Sequence, residues 1–160
     1  TFVQSHAKEK KPFFLYLPLA APHSPWVPTE NHNGKSGAGE YGDFVQMVDD
    51  QVGSFLKTID QSGISDNTIV VFTSDNGPFW KPDYIERFNH RAAANYKGMK
   101  ADIHEGGHRI PFMVRWPGKI QPGSQSNFTT TLTNLMATTA DVLGVELKAN
   151  SGEDSQSILP

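Results

Sequence analysis

The succession of apolar and polar positions divides the chain into a few readable elements. Phe13-Phe14-Leu15-Tyr16-Leu17 is a continuous apolar run, the pattern of a strand buried on both faces of a parallel sheet. It runs into Pro18, Pro22, Pro25 and Pro28, so the strand must end in a stiff, irregular loop carrying His23 and Trp26. From Asn31 to Gly39 the chain is rich in Gly, Asn and Ser and reads as a mobile connection. Tyr41, Phe44, Val45, Val48, Val52, Phe55, Leu56 and Ile59 then recur at three- and four-residue spacing, the stripe of an amphipathic helix. Asp49 and Asp50 belong to its polar side, and Ser62-Gly63 is a natural stop. Thr68-Ile69-Val70-Val71-Phe72-Thr73 predicts a second buried strand, dense in β-branched residues. It opens into Ser74-Asp75-Asn76-Gly77-Pro78, and a long polar loop follows to about Met99.

Ile110 to Trp116 reads as a third strand, distorted or at an edge at Pro111. Thr131 to Leu143 predicts a second helix with Leu132, Leu135, Met136, Thr139 and Leu143 inside, and residues 149–160 read as a linker. Strand, helix, strand with a connection of this length is a βαβ unit. The economical fold is a layered α/β domain with a mixed, mostly parallel sheet flanked by helices.

Composition narrows the function. At 160 residues the chain is one domain or part of one. It starts without methionine and stops at Ile158-Leu159-Pro160, so a piece of a longer protein is expected. Fourteen basic against 17 acidic residues give a net charge of −3, which offers no basic footprint for nucleic acid. No apolar run approaches the ~20 residues of a membrane span, and the first residues do not read as a signal peptide. The absence of cysteine removes thiolate zinc sites, disulfides and thiol nucleophiles together.

In an open α/β sheet, ligands gather beyond the carboxyl ends of strands, where Asp75 and Asn76 fall. A carboxylate and an amide carbonyl are hard oxygen donors suited to Ca²⁺ or Mg²⁺. Two donors fall short of the roughly 6–8 that Ca²⁺ takes. Asp-Asn-Gly also reads simply as a turn. Lys100 is a candidate to hold an anionic oxygen as a point charge, and His23 sits on a proline-braced mount; both also read as ordinary surface residues. His104-Glu105-Gly106-Gly107-His108 spells the zinc-protease pattern, but the Gly pair and Pro111 oppose the helix that pattern requires. The pair instead suits backbone passing close to another element. Asn127-Phe128-Thr129 fits a glycosylation sequon, relevant only in a eukaryotic secreted protein.

The order of these segments is more specific than any one of them. Ala21-Pro22-His23-Ser24-Pro25-Trp26, Asp49-Asp50-Gln51-Val52-Gly53, Phe72-Thr73-Ser74-Asp75-Asn76-Gly77, Lys97-Gly98-Met99-Lys100 and Glu105-Gly106-Gly107-His108-Arg109-Ile110-Pro111 together resemble the sulfatase family. Glu153 to Pro160 resembles the stretch after that family's late helix. The resemblance implies an alkaline-phosphatase-like α/β fold and hydrolysis of sulfate esters, of aryl or carbohydrate type. It implies that Asp75 and Asn76 are two ligands of one Ca²⁺, that Lys100 grips a sulfate oxygen, and that His23 contacts the sulfate or the bridging oxygen and can help protonate the leaving group. Glu105, Gly106, Gly107 and Arg109 match a signature that supports the site. A periplasmic or secreted location is the family-based expectation.

The resemblance also marks what is missing. The family's nucleophile is a formylglycine made from the first residue of Cys/Ser-x-Pro-x-Arg, and neither a cysteine nor such a serine occurs here. Residues 1–148 are therefore expected to be the C-terminal part of a sulfatase catalytic domain, inactive alone and weak in calcium binding. The rival readings are a phosphodiesterase or phosphonate hydrolase of the same superfamily, and a non-catalytic anion-binding relative.

Overall fold

The chain begins with a helix that its apolar pattern does not announce, α1 (Phe2–Glu9). In the computed structural model, which describes residues 1–159, a capping box starts it. The Gln4 amide donates to the Thr1 hydroxyl and the Thr1 amine to Gln4 Oε1, satisfying groups that a helix start leaves open. Lys10, at φ 54°, ends the helix in the left-handed region. Val3 is buried, and Phe2, His6 and Phe13 form a ring cluster with centroids 4.0–5.7 Å apart.

The apolar stripe does form one long helix, α2 (Gly39–Gln61), closed by Ser62 and by Gly63 at φ 69°. Twenty-three residues make a rod of roughly 34 Å. Val48 and Ile59 lie on its buried face, whereas Asp49 and Asp50 are exposed. α1 packs against it. A short 3₁₀ turn, Ser65–Asn67, leads into β1 (Val70–Thr73). Two further helices follow, α3 (Pro82–Phe88) and the single turn α4 (Glu105–His108), before β2 (Phe112–Arg115). β1 and β2 pair antiparallel, Val70 opposite Arg115 and Thr73 opposite Phe112. Arg115 donates from one guanidinium nitrogen to Asp60 and Ser65, both at 2.6 Å, tying β2 to the end of α2.

The α/β class holds, but the expected mostly parallel sheet is not what the described residues build; their sheet is this antiparallel pair. Phe13–Leu17 has no regular structure, and Phe14 and Tyr16 are 80% and 77% exposed. A strand exists only through bonds to a neighbouring strand, and no described residue supplies one here. The Asn31–Gly39 segment, expected to be mobile, is instead clamped. Asp43, buried at 2% exposure, accepts the backbone N–H groups of Gly34 at 2.7 Å, Lys35 at 3.0 Å and Ser36 at 2.8 Å.

These elements belong to a compact unit spanning Thr1–Pro122; a second unit begins at Gly123. It is built on α5 (Asn134–Leu143), ended by Gly144 in the left-handed region. Its buried residues are Asn134 and Ala140, whereas Met136 and Leu143, expected inside, are 47% and 69% exposed. The closing segment lies along this helix. Ser155 Oγ accepts from the Ala137 amide at 2.9 Å and donates to the Thr133 carbonyl at 2.7 Å. The Gln156 amide donates to Asn134 Oδ1 and the Ile158 amide to the Thr138 hydroxyl, each at 3.1 Å.

Candidate active site

Antiparallel pairing decides where the candidate residues meet. The end of β1 lies beside the start of β2, so Ser74–Pro78 and Glu105–Pro111 emerge at the same end of the sheet. Backbone bonds then join them. The Gly77 amide donates to the Gly107 carbonyl at 2.9 Å, the Gly106 amide to the Lys97 carbonyl at 2.8 Å, and the Lys100 amide to the Pro78 carbonyl at 2.9 Å. Three loops are stitched into one platform.

Glycine permits the stitching. A β-carbon on Gly77 would collide with the Gly106 carbonyl oxygen, and one on Gly107 with the carbonyls of Asp102 and Met99. Close backbone approach, rather than a turn conformation, is therefore the reason for glycine at these positions. Gly106 and Gly107 lie within α4, where a lone helix would disfavour them, yet the neighbouring carbonyls leave no room for anything larger.

On this platform Asp75 is exposed, and its carboxylate receives only the Ser74 hydroxyl, at 3.4 Å, among the described residues. Asn76 Nδ2 donates to the Gly77 carbonyl at 2.8 Å, which fixes the amide and leaves Oδ1 with no protein donor among the described residues. A carboxylate met only by one long hydroxyl bond and an amide oxygen without a donor thus stand on consecutive residues, a donor pair that suits a hard cation. Among the described residues no group of three or more His, Cys, Asp or Glu is placed to hold a metal. Asp75 and Asn76 fit calcium as part of a set, not as a whole one.

Lys100 is partly buried and makes no ion pair among the described residues. It is followed by Ala101 at φ 76°, so the backbone reverses directly after it. His23 is exposed, and its Nδ1 lies 2.7 Å from the Ser24 carbonyl. A carbonyl oxygen only accepts, so Nδ1 carries the proton and Nε2 is the free ring nitrogen. No hydrogen bond or ion pair among the described residues joins His23 to Asp75, Asn76 or Lys100. The structure brings the last three onto one platform and leaves His23 on its own loop.

Glu105 takes the Arg109 side chain, Nε at 2.6 Å and an ion pair through Nη2, and His108 Nε2 lies 3.5 Å from its other oxygen. Arg109 also covers the Tyr96 ring at 4.5 Å. A helical turn does form over Glu105–His108, against the expectation from the Gly pair, but His104 stands outside it in extended backbone at ψ 161°, so the two histidines are not successive turns of one helix as the zinc-protease pattern requires. Glu105 braces Arg109, a supporting role.

Trp26, Tyr41, Trp80, Tyr84 and Phe88 form a linked set of rings with centroid spacings of 5.1–6.4 Å. Trp80 is 5% exposed and its indole N–H donates to the His90 carbonyl at 2.9 Å. Trp80 is the buried centre of the set and the other four rings are half-buried around it; burial pushes the Tyr41 hydroxyl pKa up.

Comparison with known proteins gives the family. Residues 1–145 match the sulfatase family. The chain belongs to that family. It is 39% identical, over 99% of its length, to an N-acetylgalactosamine-6-O-sulfatase of Bacteroides thetaiotaomicron, and 36% identical, over 92%, to an arylsulfatase of Hemicentrotus pulcherrimus. It covers 32% and 26% of those two sulfatases, so it spans between a quarter and a third of their length. Among solved structures it superposes with a TM-score of 0.89, at 38% identity, on a sulfatase from work on glycosaminoglycan metabolism by B. thetaiotaomicron. That match covers 99% of this chain and 33% of the sulfatase. It superposes with a TM-score of 0.82, at 28% identity, on Ps i-CgsB in complex with k-i-k-neocarrahexaose, covering 99% of this chain and 35% of that one. The sulfatase neighbours place the small sheet and its helices within the alkaline-phosphatase-like α/β fold. No helix among the described residues is long and apolar enough to cross a membrane.

Proposed function

We propose that this chain supplies one side of the active site of a sulfuric ester hydrolase acting on a sulfated carbohydrate. The observation that carries the reading is the Lys100–Pro78 backbone bond, which seats an unpaired cation on the platform that holds Asp75 and Asn76. Lys100 would take a sulfate oxygen as a compact point charge, strongest where charge develops in the transition state. His23, with Nδ1–H committed to Ser24, has Nε2 open to the substrate; in the imidazolium form Nε2–H would hydrogen-bond the bridging oxygen and pass that proton to the departing alcohol, leaving the neutral Nδ1–H ring. Asp75 and Asn76 would hold Ca²⁺ together with ligands from outside this chain. Calcium, when bound, polarises the sulfate oxygens and offsets their charge.

The nucleophile in this reading is a formylglycine outside the 160 residues, which contain no cysteine and no Ser-x-Pro-x-Arg. Residues 1–148 would then be the C-terminal part of the catalytic domain, with 149–160 leading onward. Sulfated sugar as the substrate class is supported by a relative named for N-acetylgalactosamine-6-sulfate chemistry and a structural neighbour solved with a carrageenan oligosaccharide. A periplasmic or secreted location is proposed with this reading, on the family resemblance alone.

The test is sulfate release from a 6-sulfated N-acetylhexosamine by the full-length protein. Lys100→Ala should lower kcat/KM by roughly 10²–10³, the cost of removing one preorganised charge from an oxyanion. Undiminished activity in that variant, or none in the parent, would overturn the reading.

A further inference from the structure

Beside the platform lies a cavity of about 260 Å³ that no role assigned so far uses. Its lining begins one residue before Lys100, at Lys97, Gly98 and Met99, and continues through Arg91 and Tyr96 to Trp80. Arg91 and Lys97 are exposed, and neither side chain has a hydrogen bond, ion pair or ring partner among the described residues. One anion shares the lining, Asp102, but its Oδ2 already accepts the Met99 amide at 3.0 Å. Two uncommitted cations against one committed carboxylate leave the cavity net positive. Its aromatic wall is held in place, because Arg109 covers Tyr96 and Glu105 braces Arg109. The backbone beneath is fixed by the Gly106–Lys97 bond.

From this juxtaposition we infer that the cavity is a second anion subsite, which binds the negatively charged sugar next to the one whose sulfate ester is cleaved. The inference rests on the hydrolase reading above and deepens it. A rigid aromatic wall suits the face of a sugar ring, and Arg91 and Lys97 suit a carboxylate or a sulfate borne on that ring. Lys100 and the cavity are adjacent along the backbone, so one acidic oligosaccharide can reach both. Specificity then comes from the neighbouring unit: an acidic neighbour gains two charge contacts, and a neutral one leaves both cations unanswered.

Three substrates test this on the full-length protein: sulfated disaccharides whose neighbouring sugar is a uronic acid, a second sulfated hexose, or a neutral hexose. The expected kcat/KM on an acidic neighbour is roughly tenfold above the neutral one at low salt, two exposed charge contacts at the upper end of their usual worth. That preference should fade as ionic strength rises. The better of the two acidic disaccharides tells carboxylate from second sulfate. In Arg91→Gln/Lys97→Gln the preference should collapse, and in the charge-preserving Arg91→Lys/Lys97→Arg it should persist. Equal rates on acidic and neutral neighbours, or a preference that survives R91Q/K97Q, would overturn the subsite. If the parent protein releases sulfate from none of the three, the hydrolase reading fails instead. The cavity is then judged by calorimetry with the unsulfated uronic-acid disaccharide, whose affinity must fall about tenfold in R91Q/K97Q or the inference falls too.

Discussion

Asp43 offers the sharpest test of the physical account, because one buried carboxylate holds a whole loop. Its Oδ1 accepts the Lys35 and Ser36 amides and its Oδ2 the Gly34 amide. The Ser36 amide does most to hold the carboxyl below the usual carboxylate range, while desolvation by burial opposes; bonds from the Ser36 side chain, Gly34 and Lys35 add to the lowering. In Asp43→Asn the amide oxygen can keep the two amides that Oδ1 receives, but the new NH₂ then faces the Gly34 N–H, donor against donor. One charge-assisted bond is lost, worth about 1.5–3 kcal/mol, and a buried donor goes unpaired for about 1–3 kcal/mol more. Loop relaxation recovers part of this, so a net loss of about 2–4 kcal/mol is expected. The assay is amide hydrogen exchange at Gly34, Lys35 and Ser36 in the full-length protein, which reads local opening directly. Exchange at all three should quicken by roughly 30- to 1,000-fold, the same free energy at about 1.4 kcal/mol per decade. In the parent the folded pKa lies below the unfolded value, so this protection is complete above about pH 4 and disappears as pH falls through the folded pKa. D43N should lack that acid limb. Unchanged protection in D43N, or an acid limb that persists in it, would show that the carboxylate does not hold the loop.

The same structure makes other predictions. Gly77→Ala forces a methyl group into the Gly106 carbonyl, so sulfate-releasing activity should fall at least tenfold while far-ultraviolet dichroism stays native; parental activity would refute the close-approach argument. The Arg115 side chain, first by its hydrogen bond and then with help from Ser65, holds the Asp60 carboxyl low, so any stability gained from this contact is present above about pH 4 and lost below it. Arg115→Met should remove that acid-dependent part of the melting temperature, and an unchanged pH profile would refute the tie. A calcium chelator should abolish sulfate release, restored by Ca²⁺ and not by Zn²⁺, because Asp75 and Asn76 are hard oxygen donors; restoration by zinc would refute the assignment.

The apolar pattern reported α2 and placed β1 and β2, and failed at Phe13–Leu17, where no described residue supplies a partner strand. The stripe from Tyr41 to Ile59 and the stop at Ser62-Gly63 gave α2 with accurate ends, because amphipathic burial and a left-handed cap are local properties. Phe13–Leu17 reads just as clearly as a buried strand, yet its side chains are largely exposed, since a strand's burial and bonding are supplied by neighbours. α3 was legible in hindsight: Pro82 stands at its first position, Asp83 in its first turn, and Tyr84 and Phe88 are four apart, with Asn89 left-handed at its end. These signals were hidden by the polar character of the surrounding stretch. The Asp43 clamp carries no local signal, because an aspartate on a helix face reads as solvated until the loop that covers it is placed.

The site divides along the same line. Asp75 and Asn76 were visible because a strand precedes them, and Lys100 because of its place in an ordered set of motifs. What the sequence could not express is why they share a platform. That depends on Gly77, Gly106 and Gly107, each occupying a point where a carbonyl oxygen of another loop passes too close for a side chain. A glycine pair in a sequence states only that a side chain is unwelcome; the unwelcoming group lies elsewhere in the chain. Here the groups are the carbonyls of Gly106, Lys97, Gly98, Met99 and Asp102, contributed by the loops that carry the candidate residues. The glycines therefore hold no ligand in the proposed site and still set the spacing between the candidates assigned to hold one. Enlarging any of them should separate Lys100 from Asp75 and Asn76 without touching a functional group.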